Sequence, residues 1–498
     1  MATVRFLLDG RLIEVEDPPP TLTVLEYLRG TLGRTGTKEG CAEGDCGACT
    51  VVLGSPAADD TERVIYRAIN ACIRFLATID GLELVTVESL RAADGALHPV
   101  QQALVDAHAS QCGFCTPGFV MSLFALYLES PAPDRGTVVG ALSGNLCRCT
   151  GYRPIIAAGE RMGSLPAPSH WSREQARDPL RRAAIDGIRR DTPLELPGFR
   201  APRSLASLAA AVALDPEALI LAGGTDIGLW VTKQLRPLPP LIYVGEVPEL
   251  NRITTDGESL VIGAAVPLTD AWAAIVARYP ALTEIAARFG SPPVRNSGTL
   301  GGNLANGSPI GDSLPILVAL GASLELRAGS VSRRVPLESF YLGYQRNDLA
   351  RGELVAAVRI PSVTPGTWVS SYKLAKRIDQ DISAVCGAFV VTVQDGIVTT
   401  VRIAYGGMAG IVARAHATEQ VLLGSAWTEA TIGAAARQLA ADYQPLGDHR
   451  ASAAYRAQGA ANLLRRFYLE HAPVAAGGPA QALRNAAAAP GVPGVPAS

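Results

Sequence analysis

Apolar and polar positions alternate along Thr3–Leu8 and again along Arg11–Glu16, with Asp9-Gly10 between them. A period of two interrupted by an Asp-Gly pair predicts a β-hairpin. Thr50–Leu53 and Arg63–Tyr66 read as further strands. Leu22–Arg29 reads as a helix, with Thr21 or Thr23 as its cap. Residues 1–82 are therefore expected to fold as a small α+β unit around one helix.

The period then changes. Pro99–Ala109 and Pro117–Ser130 have helical spacing, and in the second Val120, Leu123, Phe124, Tyr127 and Leu128 fall at i, i+3, i+4, i+7 and i+8. Pro99 and Pro117 stand where proline starts a helix well. Thr137–Leu142 and Arg153–Met162 fit two shorter helices, so 83–162 is expected to be a compact helical domain. Residues 163–195 are rich in Pro, Ala, Ser and Arg without a period and read as a linker. Residues 196–368 have an α/β pattern dense in glycine. Residues 369–470 predict an α+β domain with strands near 384–392 and 398–405 and helices after them. The Ala/Gly/Pro-rich stretch 471–498 predicts a disordered tail.

Composition narrows the class. The 498 residues, 48% of them hydrophobic, can fill several cores, and the length suggests about three to four domains. The net charge is -2 and no basic block stands out, so nucleic acid and anionic membrane are not expected partners. No apolar run approaches the ~18–20 residues of a spanning helix. The N-terminus carries acids early and does not read as a signal peptide, so a reducing cytoplasm is expected. Disulfides are then unexpected, and grouped cysteines point to metal or redox chemistry.

Eight of the nine cysteines fall in the first 150 residues. Cys41, Cys46 and Cys49 are spaced C-x4-C-x2-C, and Cys72 follows after 22 intervening residues. This is the plant-type 2Fe–2S spacing. Gly40, Gly44 and Gly47 let the loop curl closely enough for backbone N–H groups to face the sulfurs. Zinc prefers paired short knuckles and fits the x4 step less well, but stays open as the alternative. Cys112 and Cys115, in QCGFCTPG, and Cys147 and Cys149, in SGNLCRCTGYRP, form a second four-thiol set. Each pair lies beside an expected helix start, where anionic thiolates are favoured.

Taken together, these motifs resemble the iron–sulfur portion of the xanthine dehydrogenase and aldehyde oxidase family. The resemblance implies a β-grasp 2Fe–2S ferredoxin domain and then a four-helix 2Fe–2S domain, with all eight ligand positions filled.

Farther on, Leu221, Ala222, Gly223, Gly224, Thr225, Asp226, Ile227 and Gly228 read as the end of a buried strand, a tight turn and a helix start. A second glycine-rich stretch runs through Gly298, Thr299, Gly301, Gly302 and Asn303 to Asp312. Dense glycines let backbone N–H groups approach a pyrophosphate. Neither stretch is a Rossmann or P-loop fingerprint, and a purely structural turn stays open. LAGGTDIG and SGTLGGNLANGSPIGD are similar to the α/β FAD-binding domain of the same family. That similarity implies that 221–228 and 298–303 cradle the pyrophosphate, that Asp312 contacts FAD, and that Lys373 lies by the flavin. It places Asp226 and Tyr344 near the edge where nicotinamide docks. Family members often carry Asn and Glu where this chain has Gly224 and Asp226. The mixed charges of Tyr372–Ile382 suggest a second route for nicotinamide, or a solvated surface loop.

Cys386 sits in an apolar run and reads as a buried free thiol. The six histidines are scattered without metal spacing, and His98 before Pro99 reads as structural.

The resemblance extends over roughly residues 3–470, ending in an α+β C-terminal flavoprotein domain. It implies an electron-transfer subunit with two 2Fe–2S clusters and FAD. A large partner subunit would carry the molybdenum cofactor, because the chain ends where fused members continue. The implied assembly is α2β2, the implied reaction oxidation of xanthine and hypoxanthine to urate, and the implied acceptor NAD+. An aldehyde, nicotinate or other heterocycle hydroxylase is the alternative, and a thiol-rich zinc or redox-responsive binding protein is a non-enzymatic one.

Overall fold

The structure is a computed structural model that describes residues 2–57 and 62–472. The hairpin expected at the N-terminus forms, with Thr3–Leu8 antiparallel to Arg11–Glu16. It belongs to a five-stranded sheet in the order Arg11–Glu16, Thr3–Leu8, Glu83–Val85, Thr50–Pro56, Val64–Asn70. Only Thr3–Leu8 and Glu83–Val85 run parallel. Thr23 caps the helix packed on this sheet and closes a capping box with Glu26. The regular helix is shorter than the apolar pattern suggests. After Val24–Glu26 it widens into a π turn, Tyr27–Thr31, that buries Tyr27 and Leu28.

Four helices follow, Pro99–Asp106, Thr116–Glu129, Arg135–Leu142 and Arg153–Arg161. Phe119, Leu123, Phe124, Val138 and Ile155 fill the space between them. His98 is buried at the first helix start. Its Nδ1 accepts the Val100 N–H at 3.3 Å, which leaves Nε2–H to donate to Trp171 O at 3.2 Å.

The stretch 163–195 is not an extended linker. It holds the helices Arg173–Ala176 and Pro179–Ile188, started by a Ser172–Gln175 capping box and by Asp178. Trp171 is fully buried and meets Tyr66 and Phe124 edge-on, each at 5.5 Å. The segment thus staples the ferredoxin-like sheet to the helical domain. Its apolar contacts are few and widely spaced, so no periodicity announces them, although both caps are visible in the sequence.

The glycine-rich region is built as two lobes. One is a four-stranded sheet ordered Leu194–Leu196, Phe199–Ala201, Leu241–Tyr243, Leu219–Leu221. The other is a five-stranded sheet ordered Ile253–Asp256, Ser259–Gly263, Leu354–Ile360, Ser323–Ala328, Val331–Pro336. The last unit has four antiparallel strands, Thr367–Leu374, Val385–Gln394, Ile397–Gly406 and Ala413–Arg414. The helices Glu429–Asp442 and Ala453–His471 cover it, around Phe389, Tyr405, Trp427 and Phe467. Two strands, Leu194–Leu196 and Thr367–Leu374, run across the breaks expected at 195/196 and 368/369. His471 ends the last helix rather than starting a tail, and the tail expected beyond it lies outside the described residues from 473 on. The whole is the α+β multidomain architecture expected from the sequence. Among the described residues, no helix is long and apolar enough to cross a membrane.

Candidate cofactor sites

Cys41, Cys46 and Cys49 lie on one tight loop between the π turn and strand Thr50–Pro56, and Cys72 comes from just after Val64–Asn70. The N–H groups of Glu43, Asp45 and Cys46 all donate to Cys41 Sγ, at 3.4, 3.3 and 3.3 Å. The N–H of Cys41 donates to Cys46 Sγ at 3.3 Å. Backbone donors turned onto sulfur stabilise a thiolate. Hydrogen bonding from the Cys46 thiol, chiefly, holds the Cys41 thiol far below its ordinary pKa. The free Cys41 thiol interacts with those of Cys46 and Cys72, and the Cys49 thiol with that of Cys72.

The second set also gathers its four thiols. Cys115 interacts with Cys147, and Cys112 with Cys149. Burial pushes Cys115 up to about 12. Burial also disfavours the Cys147 thiolate, but hydrogen bonds from the side chain and backbone of Thr150 prevail and lower it. Among the described residues, no three His, Cys, Asp or Glu side chains close around one point as a single metal ion would require. Two sets of four free thiols suit two two-iron clusters, in which each iron takes two thiolates.

Gly47, at φ +67°, carries the first loop against the second; a Cβ there would lie 2.2 Å from Gly144 O. Gly118 packs equally closely, with a Cβ 2.1 Å from Gly47 O. Asn145 is buried in this seam, donating to Gly47 O at 3.1 Å and Thr50 Oγ1 at 3.2 Å while accepting from Ser122 at 2.6 Å. The N–H of Leu146, beside Cys147, donates to Cys46 O at 3.0 Å. On the other side Thr232 Oγ1 donates to Ala42 O at 2.6 Å, and Lys233 Nζ to Cys41 O at 3.1 Å. Thr232 and Lys233 were not distinguishable in the sequence, and the SGNLCRCTGYRP motif did not reveal what Asn145 bonds, because these partners lie far away along the chain.

Between the two lobes runs a cleft of ≈ 1010 Å³, at the upper end of cofactor-site volumes. Its floor is made where the two glycine stretches cross. A Cβ on Gly223 would sit 1.9 Å from Ser297 O, and one on Gly301 2.4 Å from the Ala264 side chain. Ala222, Gly223, Gly224, Thr225, Asp226 and Ile227 line it, as do Gly298, Thr299, Gly301, Gly302 and Asn303. Leu221 and Gly228 do not: Leu221 is fully buried in the core, and Gly228 packs on Ile73. Asp312 and Lys373 meet at one end as a buried ion pair, Nζ to Oδ2 2.6 Å. Gly44 and Asp45 of the first cysteine loop form part of the wall, and so do Gln380, Asp381 and Ile382.

Gly343 and Gln345 line the cleft, but the Tyr344 side chain between them is 64% exposed on the rim. Cys386 is a buried thiol, as expected, and burial raises its pKa well above normal.

A narrow dinucleotide-sized cleft walled by one cysteine loop, with a second cysteine set behind it, defines an iron–sulfur flavoprotein. Family models match throughout. A 2Fe-2S iron-sulfur cluster binding domain matches 6–76, and a 2Fe-2S binding domain 86–160. The FAD binding domain in molybdopterin dehydrogenase matches 196–363, and the CO dehydrogenase flavoprotein C-terminal domain 370–471. Xanthine dehydrogenase 2 of Arabidopsis thaliana is 32% identical over 84% of this chain and 36% of its own length. Xanthine dehydrogenase of Emericella nidulans is 33% identical over 94% of the chain and 38% of its own length. The chain thus spans little more than a third of these relatives. Among solved structures, the carbon monoxide dehydrogenase of Hydrogenophaga pseudoflava superposes with a TM-score of 0.51 at 32% identity, over 54% of this chain and 94% of that one. The chain belongs to the xanthine dehydrogenase/aldehyde oxidase family.

Proposed function

We propose that this chain is the electron-transfer subunit of a molybdenum hydroxylase that oxidises xanthine and hypoxanthine to urate with NAD+ as acceptor. Cys112, Cys115, Cys147 and Cys149 would hold one 2Fe–2S cluster, and Cys41, Cys46, Cys49 and Cys72 the other. FAD would lie in the glycine-floored cleft, with the Asp312–Lys373 pair at one end. When bound, the clusters exchange single electrons and the flavin exchanges pairs. A large partner subunit would carry the molybdenum cofactor, in an α2β2 assembly.

The observation that carries this reading is the serial order of the three sites. Cys112 and Cys149 are exposed, so the helical-domain set can face a partner. Leu146 and Asn145 join that set to the loop of the first set, in which Cys49 and Cys72 are buried and Cys41 and Cys46 half-buried. That loop is itself a wall of the cleft. The chain's own groups act by holding: backbone N–H groups stabilise sulfur charge, the close glycine contacts exclude water, and Lys373 and Asp312 fix charge at the cleft end.

The test is separation of the two half-reactions. The cofactor-loaded chain should oxidise NADH with an artificial acceptor and leave xanthine untouched, and addition of the molybdenum partner should restore xanthine-dependent NAD+ reduction. Xanthine turnover by molybdenum-free protein would reject the division of labour. The likeness to a carbon monoxide dehydrogenase supports a second reading, with the same electron path serving a different oxidisable substrate. Turnover of an aldehyde or another heterocycle, but not xanthine, by the assembled enzyme would select it.

A further inference from the structure

The strands Thr367–Leu374 and Val385–Gln394 are antiparallel, with Lys373 opposite Cys386 and Leu374 opposite Val385. The segment 375–384 is therefore the loop of a wide hairpin, a strap whose residues 380–382 reach the cleft. Its neck closes on a side chain from elsewhere. Asp312 presents Oδ2 to Lys373 Nζ and Oδ1 to Ser383 Oγ, so each side of the neck grips one carboxylate oxygen. Ser383 is 1% exposed and Asp312 5%, so water does not compete for either bond. The tip is tied separately: Asp381 accepts the N–H groups of Lys376 and Arg377, and Gln380 Nε2 donates to Ser143 O in the helical domain.

We infer that Ser383 is a positioning residue for the flavin end of the cleft. Its hydroxyl fixes the Asp312 carboxylate so that Lys373 and the strap residues 380–382 keep one arrangement at the cofactor. A carboxylate bonded on both oxygens cannot rotate, and Lys373, which also reaches Arg288 O at 3.4 Å, stays at the wall. With the hydroxyl gone, Oδ1 has lost its buried donor, and Asp312 grips the neck only through Lys373 while the backbone pairing of Ala384 with Leu374 remains. The negative charge is then less compensated, which disfavours adding electrons to a flavin beside it. This inference rests on the cleft being the FAD site.

The test compares Ser383→Ala and Ser383→Thr in the cofactor-loaded protein, with Ser371→Ala as a second deletion in the same hairpin; the Ser371 hydroxyl bonds Gly387 O instead. Two readouts are taken: the flavin midpoint potential by spectroscopic titration, and hydrogen exchange over 375–384. Ser383→Ala should shift the potential to more negative values and speed exchange of the strap by roughly tenfold, the loss of one hydrogen bond to a charged group. Ser383→Thr should restore both, and Ser371→Ala should move neither. A folded, flavin-loaded Ser383→Ala protein with unchanged potential and unchanged exchange would overturn the inference. Parent protein that retains no FAD would instead overturn the reading of the cleft.

Discussion

Leu146 donates its backbone N–H to the carbonyl of Cys46 at 3.0 Å. One hydrogen bond thus joins the residue before Cys147 to a thiol-bearing residue of the other set. The contact exists because glycine occupies both faces of the seam, at Gly47 and Gly118. Through it, the two cysteine sets stand in series rather than as separate sites.

Replacing Cys147 by Ser should therefore act on one set alone. Low-temperature EPR of the dithionite-reduced protein should lose one of two 2Fe–2S signals and keep the other. NADH should still bleach the flavin, while xanthine-dependent NAD+ reduction by the assembled enzyme should stop. Retention of both signals would remove Cys147 from the ligand set.

Gly223→Ala should abolish flavin retention. The new methyl would meet the Ser297 carbonyl at 1.9 Å, and backbone on both sides leaves no flexible side chain to yield. Released-flavin absorbance should fall to a small fraction of the parent value while both iron–sulfur signals persist.

Asp312→Asn leaves the Lys373 ammonium buried without its counter-ion. Breaking a buried pair from one side costs about 3–5 kcal/mol. Thermal denaturation should show a clear loss of stability, accompanied by weaker flavin binding; an unchanged melting profile would argue against the pair as drawn.

His98 gives a pH dependence with a definite sign. Burial lowers its pKa from 6.5 to about 4, and protonation would turn Nδ1 from the acceptor of the Val100 N–H into a donor. Its neighbours are Phe124 and Tyr127 on one helix and Trp171 on the 163–195 staple, with His170 beside it and Arg173 as a nearby cation. Between the two pKa values the unfolded chain binds the extra proton. Stability from the neutral ring is fully present above about pH 6.5 and is lost as pH falls through about 4, up to roughly 3 kcal/mol. Denaturant melts at pH 7.5 and pH 5 should differ accordingly, and His98→Asn, which keeps a capping side chain, should flatten the difference.

Much of this was legible in the chain. Alternation located the N-terminal hairpin residue for residue, and proline plus 3.6-residue spacing located the main helices, because both signals are local. The cysteine spacings announced two sets for the same reason. The helices within 163–195 went unread because the buried apolar residues there, chiefly Trp171, Ala176, Ile185 and Ile188, are too sparse a pattern to show a period. Asn145 lies inside the SGNLCRCTGYRP motif and Gln380 inside Tyr372–Ile382, but their roles, like that of Ser383, depend on partners that only folding brings near. Tyr344, which the resemblance puts near the edge where nicotinamide docks, has its side chain exposed beside the cleft.

The central claim is that one chain holds two 2Fe–2S clusters and one FAD. The most direct measurement is iron, zinc and released flavin on a single anaerobically purified sample. About four irons and one FAD per chain, with no stoichiometric zinc, is the predicted result. Zinc in place of iron, together with no flavin, would contradict the account.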